Sequence, residues 1–460
     1  MKIYSGKYDN KTQASNALVT NLMKYPEIER RMTRQFPQYS LAYFVDGTGR
    51  FAKEKTIGDT KYTWPILGRT SRPSTCTGTN TGNGASRAAF TVEFEENYLN
   101  PNDIVKFADG NHGHILGLPV PSTNGYTYTF KLADPAGTAS VAAAALLAGV
   151  TVGKIGSGFS EGSDRGFENH VYPDWYVNYL GISRKASSIT GSALTDVTWI
   201  ESGGSKLWYF TDQMICEEEF RKEREMDAWY SISTMDANGN PTLFDPSTGK
   251  AIVKGDGILR QIDAANIDTY NGVLTHARLT EFLNQLILNT GNKGTKWMVF
   301  TGRGGALAFH NAMENFVMPN GNMIYNAATG KEMTIGVEFN SYAVLGVQMT
   351  LVDTPMFDDP NLWGNNIDPV SGLPKESFRM VFMNFDYNPM KGEANVERIV
   401  KGAEGYSRGY MMKYIAGMVN PLDNKQMMAS TSRDNFTVEY LSESGIIVRN
   451  PMSCGMLVFA

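Results

Sequence analysis

At 460 residues, with 42% hydrophobic and 19% charged side chains, the chain is long and apolar enough to fold into two to four domains and is no disordered polymer. A formal net charge of −5 excludes a nucleic-acid binder that is basic throughout. Cys76, Cys216 and Cys454 are too few and too scattered for a disulfide framework or a paired-cysteine metal motif, which suits a reducing compartment.

The charge is uneven. Met1 to Lys53 holds nine Lys or Arg against four acids, a local excess of five, and Arg30, Arg31 and Arg34 form its densest cluster. No apolar leader follows Met1, and no run of about 18 apolar residues occurs, so neither a signal peptide nor a membrane-spanning helix is expected. A chain starting at Met1 is also expected to have lost no leading segment. Residues 1–45 carry a short helical pattern, Ala14, Leu18 and Leu22, which Pro26 stops, and they read as an arm. From Asp46 the text turns to glycine and threonine, and Gly78 to Ser86 reads as a loop.

Strands follow. Phe90, Val92 and Phe94 alternate with Thr91 and Glu93, and Tyr126, Tyr128, Phe130 and Leu132 alternate with Thr127, Thr129 and Lys131. Period two with aromatic and β-branched residues predicts half-buried antiparallel strands. A hairpin is expected around Asp109–Gly113, so residues 88–156 read as a small β-rich domain that could close into a barrel. More strand text runs from Tyr176 to about Gly203.

The strongest helix pattern is Thr211–Ser231, whose centre, EEEFRKERE, has eight charged residues and one Phe. Glu217–Arg221, Glu218–Lys222 and Arg221–Glu225 stand at i,i+4, each pair adding only ~0.2–0.5 kcal/mol. Two readings stand open. One is a strut anchored at its ends by Trp208, Phe210, Ile215, Met226 and Trp229 and wet between; the other is an ordinary amphipathic helix with a charged outer face. On the strut reading, reversing Glu218 and Lys222 together would harm assembly more than folding.

Leu279, Phe282, Leu283, Leu286 and Ile287 then share a helix face that Gly291 could stop. KWMVFT (296–301) reads as a buried strand, GRGG as a turn and ALAFHNAMENF as a helix. Tyr342–Asp353 and Phe378–Phe385 read as strands, and NFTVEYLSESGIIVRNP as a closing hairpin. Strands and helices in no βαβ rhythm define an α+β protein.

Chemical motifs are weak. GFSEG matches a nucleophile elbow at Ser160, but the following text cannot open a helix, so a hydrolase is a distant alternative. His112 and His114 beside Asp109 lack a fourth metal ligand. TGRGGA lacks the later glycine and lysine of a phosphate loop and fits a close strand–helix turn. Asp353, Asp358 and Asp359 match no calcium loop. No catalytic residue, cofactor or metal is expected.

The order of parts, with the stretches SGFSEGSDRG, GDGILRQIDAANIDTYNG, KWMVFTGRGG, FRMVFMNFDYNP and SCGMLVFA, resembles the major capsid proteins of tailed bacteriophages with the Hong Kong 97-like fold, most of all those of crAss-like phages. The resemblance implies an N-terminal arm (1–45), an extended loop region (46–205) with the inserted β-rich domain (88–156), and a peripheral domain (206–254) with a spine helix (206–231). An axial domain (255–430) and C-terminal strands returning to the peripheral domain (431–460) complete it. It implies self-assembly into hexameric and pentameric capsomers of an icosahedral head around double-stranded DNA. It also implies contact with portal, decoration or head-fibre proteins, no membrane, and assembly in the host cytoplasm. Glu217, Glu218, Arg221, Lys222 and Glu225 become assembly candidates, and the arm arginines would screen phosphates. An encapsulin-like compartment shell is the alternative within the same fold.

Overall fold

The structure, a computed structural model, describes residues 53–68, 73–163, 166–168, 170, 172–192, 208–290, 296–317, 341–344, 346–360, 362–364, 366–385, 394–418 and 430–460. The arm with Arg30, Arg31 and Arg34, and the expected helix stop at Gly291, lie outside these residues. The chain divides into two compact units, Pro65–Tyr176 and a larger unit that takes the chain up to Trp64 and from Val177 to Ala460.

In chain order, β1 (Lys53–Ile57) and β2 (Lys61–Ile66) come first. The strands β3 (Pro73–Thr81), β4 (Phe90–Phe94), β5 (Asp103–Lys106), β6 (His112–Ile115), β7 (Val120–Pro121), β8 (Tyr126–Leu132) and β9 (Thr151–Ser157) follow. Next are β10 (Asp174–Tyr179), β11 (Gly181–Thr190), helix α1 (Trp208–Tyr230), the single turn α2 (Ile258–Gln261) and β12 (Ile267–Tyr270). Helix α3 (His276–Thr290), β13 (Lys296–Thr301), helix α4 (Arg303–Val317), β14 (Ser341–Val344), β15 (Val347–Asp353) and β16 (Met380–Asn384) continue. Last come β17 (Val396–Ala403), β18 (Tyr406–Ser407), β19 (Met411–Ala416), β20 (Asn435–Val448) and β21 (Gly455–Phe459).

In the smaller unit the alternation of Phe90/Val92/Phe94 and Tyr128/Phe130/Leu132 does what period two requires. One side of each strand enters a shared core with Cys76, Val105, Phe107, Ile115 and Val152. The pairings run β3–β9–β5–β6–β8–β4 and back to β3, all antiparallel, so six strands close into a barrel, with β7 laid on β8. Closure leaves no open edge in that ring. The expected start at residue 88 is too late, and the expected loop at Gly78–Ser86 is strand as far as Thr81. Gly78, at φ 89°, sits where the β3–β4 register shifts, so the glycines that looked like a loop include a bulge inside a strand.

Among the described residues, the larger unit holds two six-stranded sheets. The first runs β1–β17–β20–β11, with β19 also on β20 and β18 on β17; among the described residues β1–β17 is its one parallel pairing. β20 is one unbroken strand of 14 residues, not the expected hairpin. SESG looks like a turn, but Ser442 and Glu443 are buried and bonded to the segment between β18 and β19. Ser442 Oγ donates to the Gly409 carbonyl, and Arg408 Nε donates to Glu443 at 2.6 Å. Tyr62 and Trp64 of β2 lie against the far end of this strand, donating to the carbonyls of Ile446 and Arg449. β2 pairs with β10, and this ribbon carries the chain out of the larger unit and back.

The second sheet is β12–β21–β16–β13–β15–β14. One core joins it to α3 and α4 through Leu279, Phe282, Leu283, Leu286, Phe309 and Met313. The other joins it to the end of α1 and to the first sheet through Trp229, Phe300, Phe357, Ile446 and Val448. The face predicted for α3 is therefore the buried one, with Ile287 at its margin. GRGG is not a turn: Arg303 opens α4 directly after Gly302. A Cβ at Gly302 would lie 2.4 Å from Asp358 Oδ1, and one at Gly305 1.9 Å from Thr301 Oγ1, so close approach of strand and helix explains these glycines.

Candidate assembly site

Helix α1 was the sequence's main candidate, and its middle is not wet. Phe220 is fully buried, its ring 5.7 Å from Tyr440 and 6.3 Å from Tyr410. Arg224 is buried too, stacked over Phe220 and Tyr410, with Nη2 donating to the Gly409 carbonyl at 3.0 Å. Glu225, also buried, accepts from Trp229 Nε1 at 3.2 Å. Of the two open readings, the amphipathic helix on an ordinary core is the correct one. A wheel cannot show that β17, β18 and β19 bring Tyr410, Gly409 and Arg398 onto the charged stretch from some 180 residues further along the chain.

The charged residues work mostly inside the chain. Arg221 meets Glu217 at 2.7 Å, the expected i,i+4 pair, and Glu217 also accepts from Tyr410 Oη at 3.0 Å. Lys222 reaches Asp359 at 3.1 Å. Lys185 on β11 bridges Glu219 and Glu223 at 2.8 and 2.6 Å. Its burial would lower the ammonium pKa, but the two carboxylates hold it above the ordinary lysine value. Asp227 pairs with Lys254 at 2.7 Å. Burial raises Asp212, with the Ser187 hydroxyl partly opposing it, and burial followed by Glu217 lifts Tyr410 to about 12. Of the expected end anchors, Trp229 is buried and Met226 packs beside it; the side chains of Trp208 and Phe210 are outside the described set.

A cavity of about 50 Å³ lies at the foot of α1 among Ser183, Arg224, Asp227, Lys254, Asp256 and Arg398. That volume suits a few waters and is far below the few hundred Å³ of a ligand pocket. The other motifs resolve into structure. Ser160 is exposed in a turn closed by the Ser163 N–H, and among the described residues no helix follows it before β10. Asp109 accepts from Asn111 and from the Ala142 N–H, which ties down its own hairpin. Asp358 accepts from the Arg303 N–H at 2.9 Å and from Ser377, and so occupies the start of α4 where a phosphate would sit. Among the described residues no three His, Cys, Asp or Glu side chains are grouped to hold a metal.

What the residue patterns did not reveal is the amount of apolar surface left in water. Tyr172, Trp175, Tyr176 and Val177 are all exposed, Trp175 by 65%, and β10 shows four consecutive exposed residues. Ribbons of two strands are marginal alone, and large exposed aromatics mark contact surfaces. The signal was present in YPDWYV, whose apolar side chains do not alternate.

A chain with well-filled cores, internally paired charges and large exposed apolar side chains has the character of an assembly subunit. The family model described as Crassvirus major capsid protein matches residues 9–460, and the chain belongs to that family. No curated protein matches it. Solved structures similar to it include a capsid of the native GTA particle (8% identity, 98% of this chain and 100% of that one, TM-score 0.41). Others are the cyanophage Pam1 capsid (11%, 66% and 82%, 0.37) and the SrpI encapsulin of Synechococcus elongatus PCC 7942 (9%, 62% and 75%, 0.33). The family match, not these distant likenesses, identifies the chain as a capsid shell protein of the virion.

Proposed function

We propose that copies of this chain close into hexameric and pentameric capsomers of an icosahedral head around double-stranded DNA, in the Hong Kong 97-like arrangement. The single observation that carries this reading is the capsid-family match across residues 9–460. Heterologous, ring-closing contacts are the means by which one chain builds such a shell. The exposed apolar residues of β10 support it, because they gain from burial that one copy does not provide. In this reading the chain up to Trp64 and the segments around β10 form the arm and extended loop. The barrel is the insertion, α1 the spine helix, and the sheet from β12 to β16 with α3 and α4 the axial domain. β20 and β21 return the chain to the body.

The role is structural, with assembly in the host cytoplasm and with portal, decoration or head-fibre proteins as partners. Glu217, Glu218, Arg221, Lys222 and Glu225 act first by shaping the subunit, and assembly depends on them through that shape. An encapsulin-like compartment is the weaker reading, because the family match is to a viral capsid. Electron microscopy of particles from the expressed chain tests this, with closed shells expected. Compact monomers at high concentration would reject it.

A further inference from the structure

Four Asn-Gly pairs lie among the described residues: Asn83–Gly84, Asn124–Gly125, Asn238–Gly239 and Asn271–Gly272. A fifth, Asn320–Gly321, lies outside them. This dipeptide carries a chemistry of its own. The glycine backbone nitrogen can attack the side-chain amide carbon of the preceding asparagine, because no Cβ shields its approach. The attack has three requirements. The glycine N–H must be released from hydrogen bonding, the asparagine side chain must be free to swing over the backbone, and the peptide between them must have room to turn.

Three of the pairs are held. Gly84 is buried, and a Cβ there would lie 2.8 Å from side-chain atoms of both Phe90 and Leu132. Asn83 Oδ1 accepts from the Ala85 N–H at 3.3 Å, and the Asn83 carbonyl accepts from the Val141 N–H at 2.8 Å. Gly125 lies so close to β4 that a Cβ would collide with the Phe94 carbonyl, and its own carbonyl accepts from the Ser122 N–H at 2.8 Å. The Gly239 N–H donates to the Asp236 carbonyl at 3.0 Å, and the Asn238 N–H to Asp236 Oδ1 at 2.9 Å.

Asn271–Gly272 meets all three requirements. It sits in the short connection between β12 and α3, with Tyr270 and Leu274 buried on either side. Asn271, Gly272 and Val273 are exposed, Val273 by 74%. Gly272 has a φ of 73°, and a Cβ built on it meets no atom within 4 Å. Among the described residues neither the Asn271 side chain nor the Gly272 N–H makes a hydrogen bond. That N–H therefore faces water, the base that can take its proton.

We propose that Asn271 is a site of spontaneous deamidation, the one among these four that reacts in the folded chain. The Gly272 nitrogen loses its proton to solvent and bonds to Asn271 Cγ. The Cγ–Nδ2 bond breaks, and Nδ2 takes a proton and leaves as ammonia. One water then opens the cyclic imide. Cleavage at the Cγ side gives an ordinary aspartate at this position; cleavage at the backbone carbonyl gives isoaspartate, whose main chain runs through Cβ and is one atom longer. Either product adds a negative charge ahead of α3.

The flanks explain why the fold tolerates this. The Tyr270 hydroxyl donates to the Phe378 carbonyl at 2.6 Å, and the Tyr270 carbonyl accepts from the Ala460 N–H at 3.0 Å. On the other side Thr275 Oγ1 accepts from the Arg278 N–H at 3.3 Å and starts the helix. The extra atom falls between these anchors, in three exposed residues. This chemistry belongs to the single subunit and does not depend on the shell reading.

The test is to age the full chain in mildly alkaline buffer and compare the peptides carrying the four pairs by mass spectrometry. Enzymatic methylation of isoaspartyl groups gives a second readout. In the folded chain Asn271 should convert before Asn83, Asn124 and Asn238. In urea, where only the shared dipeptide remains, the four rates should converge. Asn271→Gln should remove the early product at an unchanged unfolding temperature. Earlier conversion at another of the four, equal rates at all four in the folded chain, or no conversion at Asn271 would overturn the assignment. A lead for Asn271 that persists undiminished in urea would place its cause in the flanking sequence and overturn it as well.

Discussion

Lys222 Nζ lies 3.1 Å from Asp359 Oδ2, and the Asp359 side chain is only 4% exposed. A residue read from the sequence as part of a wet outer stripe thus neutralises a buried carboxylate 137 positions away.

Reversing that lysine tests the point. Lys222→Glu sets a second carboxylate against a buried one, and breaking a buried pair costs about 3 kcal/mol. The expected outcome is a large fall in denaturant midpoint for the subunit itself. Reversal of Glu218 and Lys222 together should therefore cost folding before assembly, opposite to the strut reading. An unchanged midpoint would return Lys222 to the surface.

Phe220→Ala should be as costly. The ring is fully enclosed between Tyr410, Tyr440 and Arg224, and removing such a side chain costs about 3–5 kcal/mol. Chemical denaturation of the variant measures it, and a loss under about 1 kcal/mol would show that the helix middle is not core.

How much of this was legible depended on whether neighbours in sequence were also neighbours in space. The barrel strands were readable because Phe90/Val92/Phe94 and Tyr128/Phe130/Leu132 carry their own period. Helix α3 was readable because Leu279, Phe282, Leu283 and Leu286 define one face. β20 was misread because SESG has turn composition, while its burial is set by Arg408 and Gly409 in the segment between β18 and β19. Arg224 and Glu225 were misplaced for the same reason: whether a charged helical residue is buried depends on partners that the helix text does not contain.

Acid should weaken the barrel through Glu93. Hydroxyls of Ser122, Thr77 and Thr79 hold this carboxyl at about 2, with Thr77 Oγ1 donating at 2.7 Å. A depressed carboxyl pKa stabilises fully above the unfolded value of about 4.3, and that contribution disappears as pH falls toward 2. Circular dichroism over that range should show the loss, and Thr77→Val should move the acid transition upward. No movement would mean that Thr77 does not hold the carboxylate.

Asp358→Ala removes the acceptor at the start of α4, where the Arg303 N–H and the Ser377 hydroxyl converge. Loss of such a cap costs about 1 kcal/mol. Thermal unfolding should fall by a few degrees, and amide exchange should rise first at Arg303 and Gly304. Uniform exchange across α4 would contradict a capping role.

Whether this chain builds a closed shell is tested most directly by cryo-electron microscopy of the assembled protein. Closed particles are expected, with walls that resolve into repeating capsomers of this subunit and with the β10 aromatics covered by neighbouring copies. Dispersed, folded monomers at high concentration, with those aromatics still exposed, would contradict it.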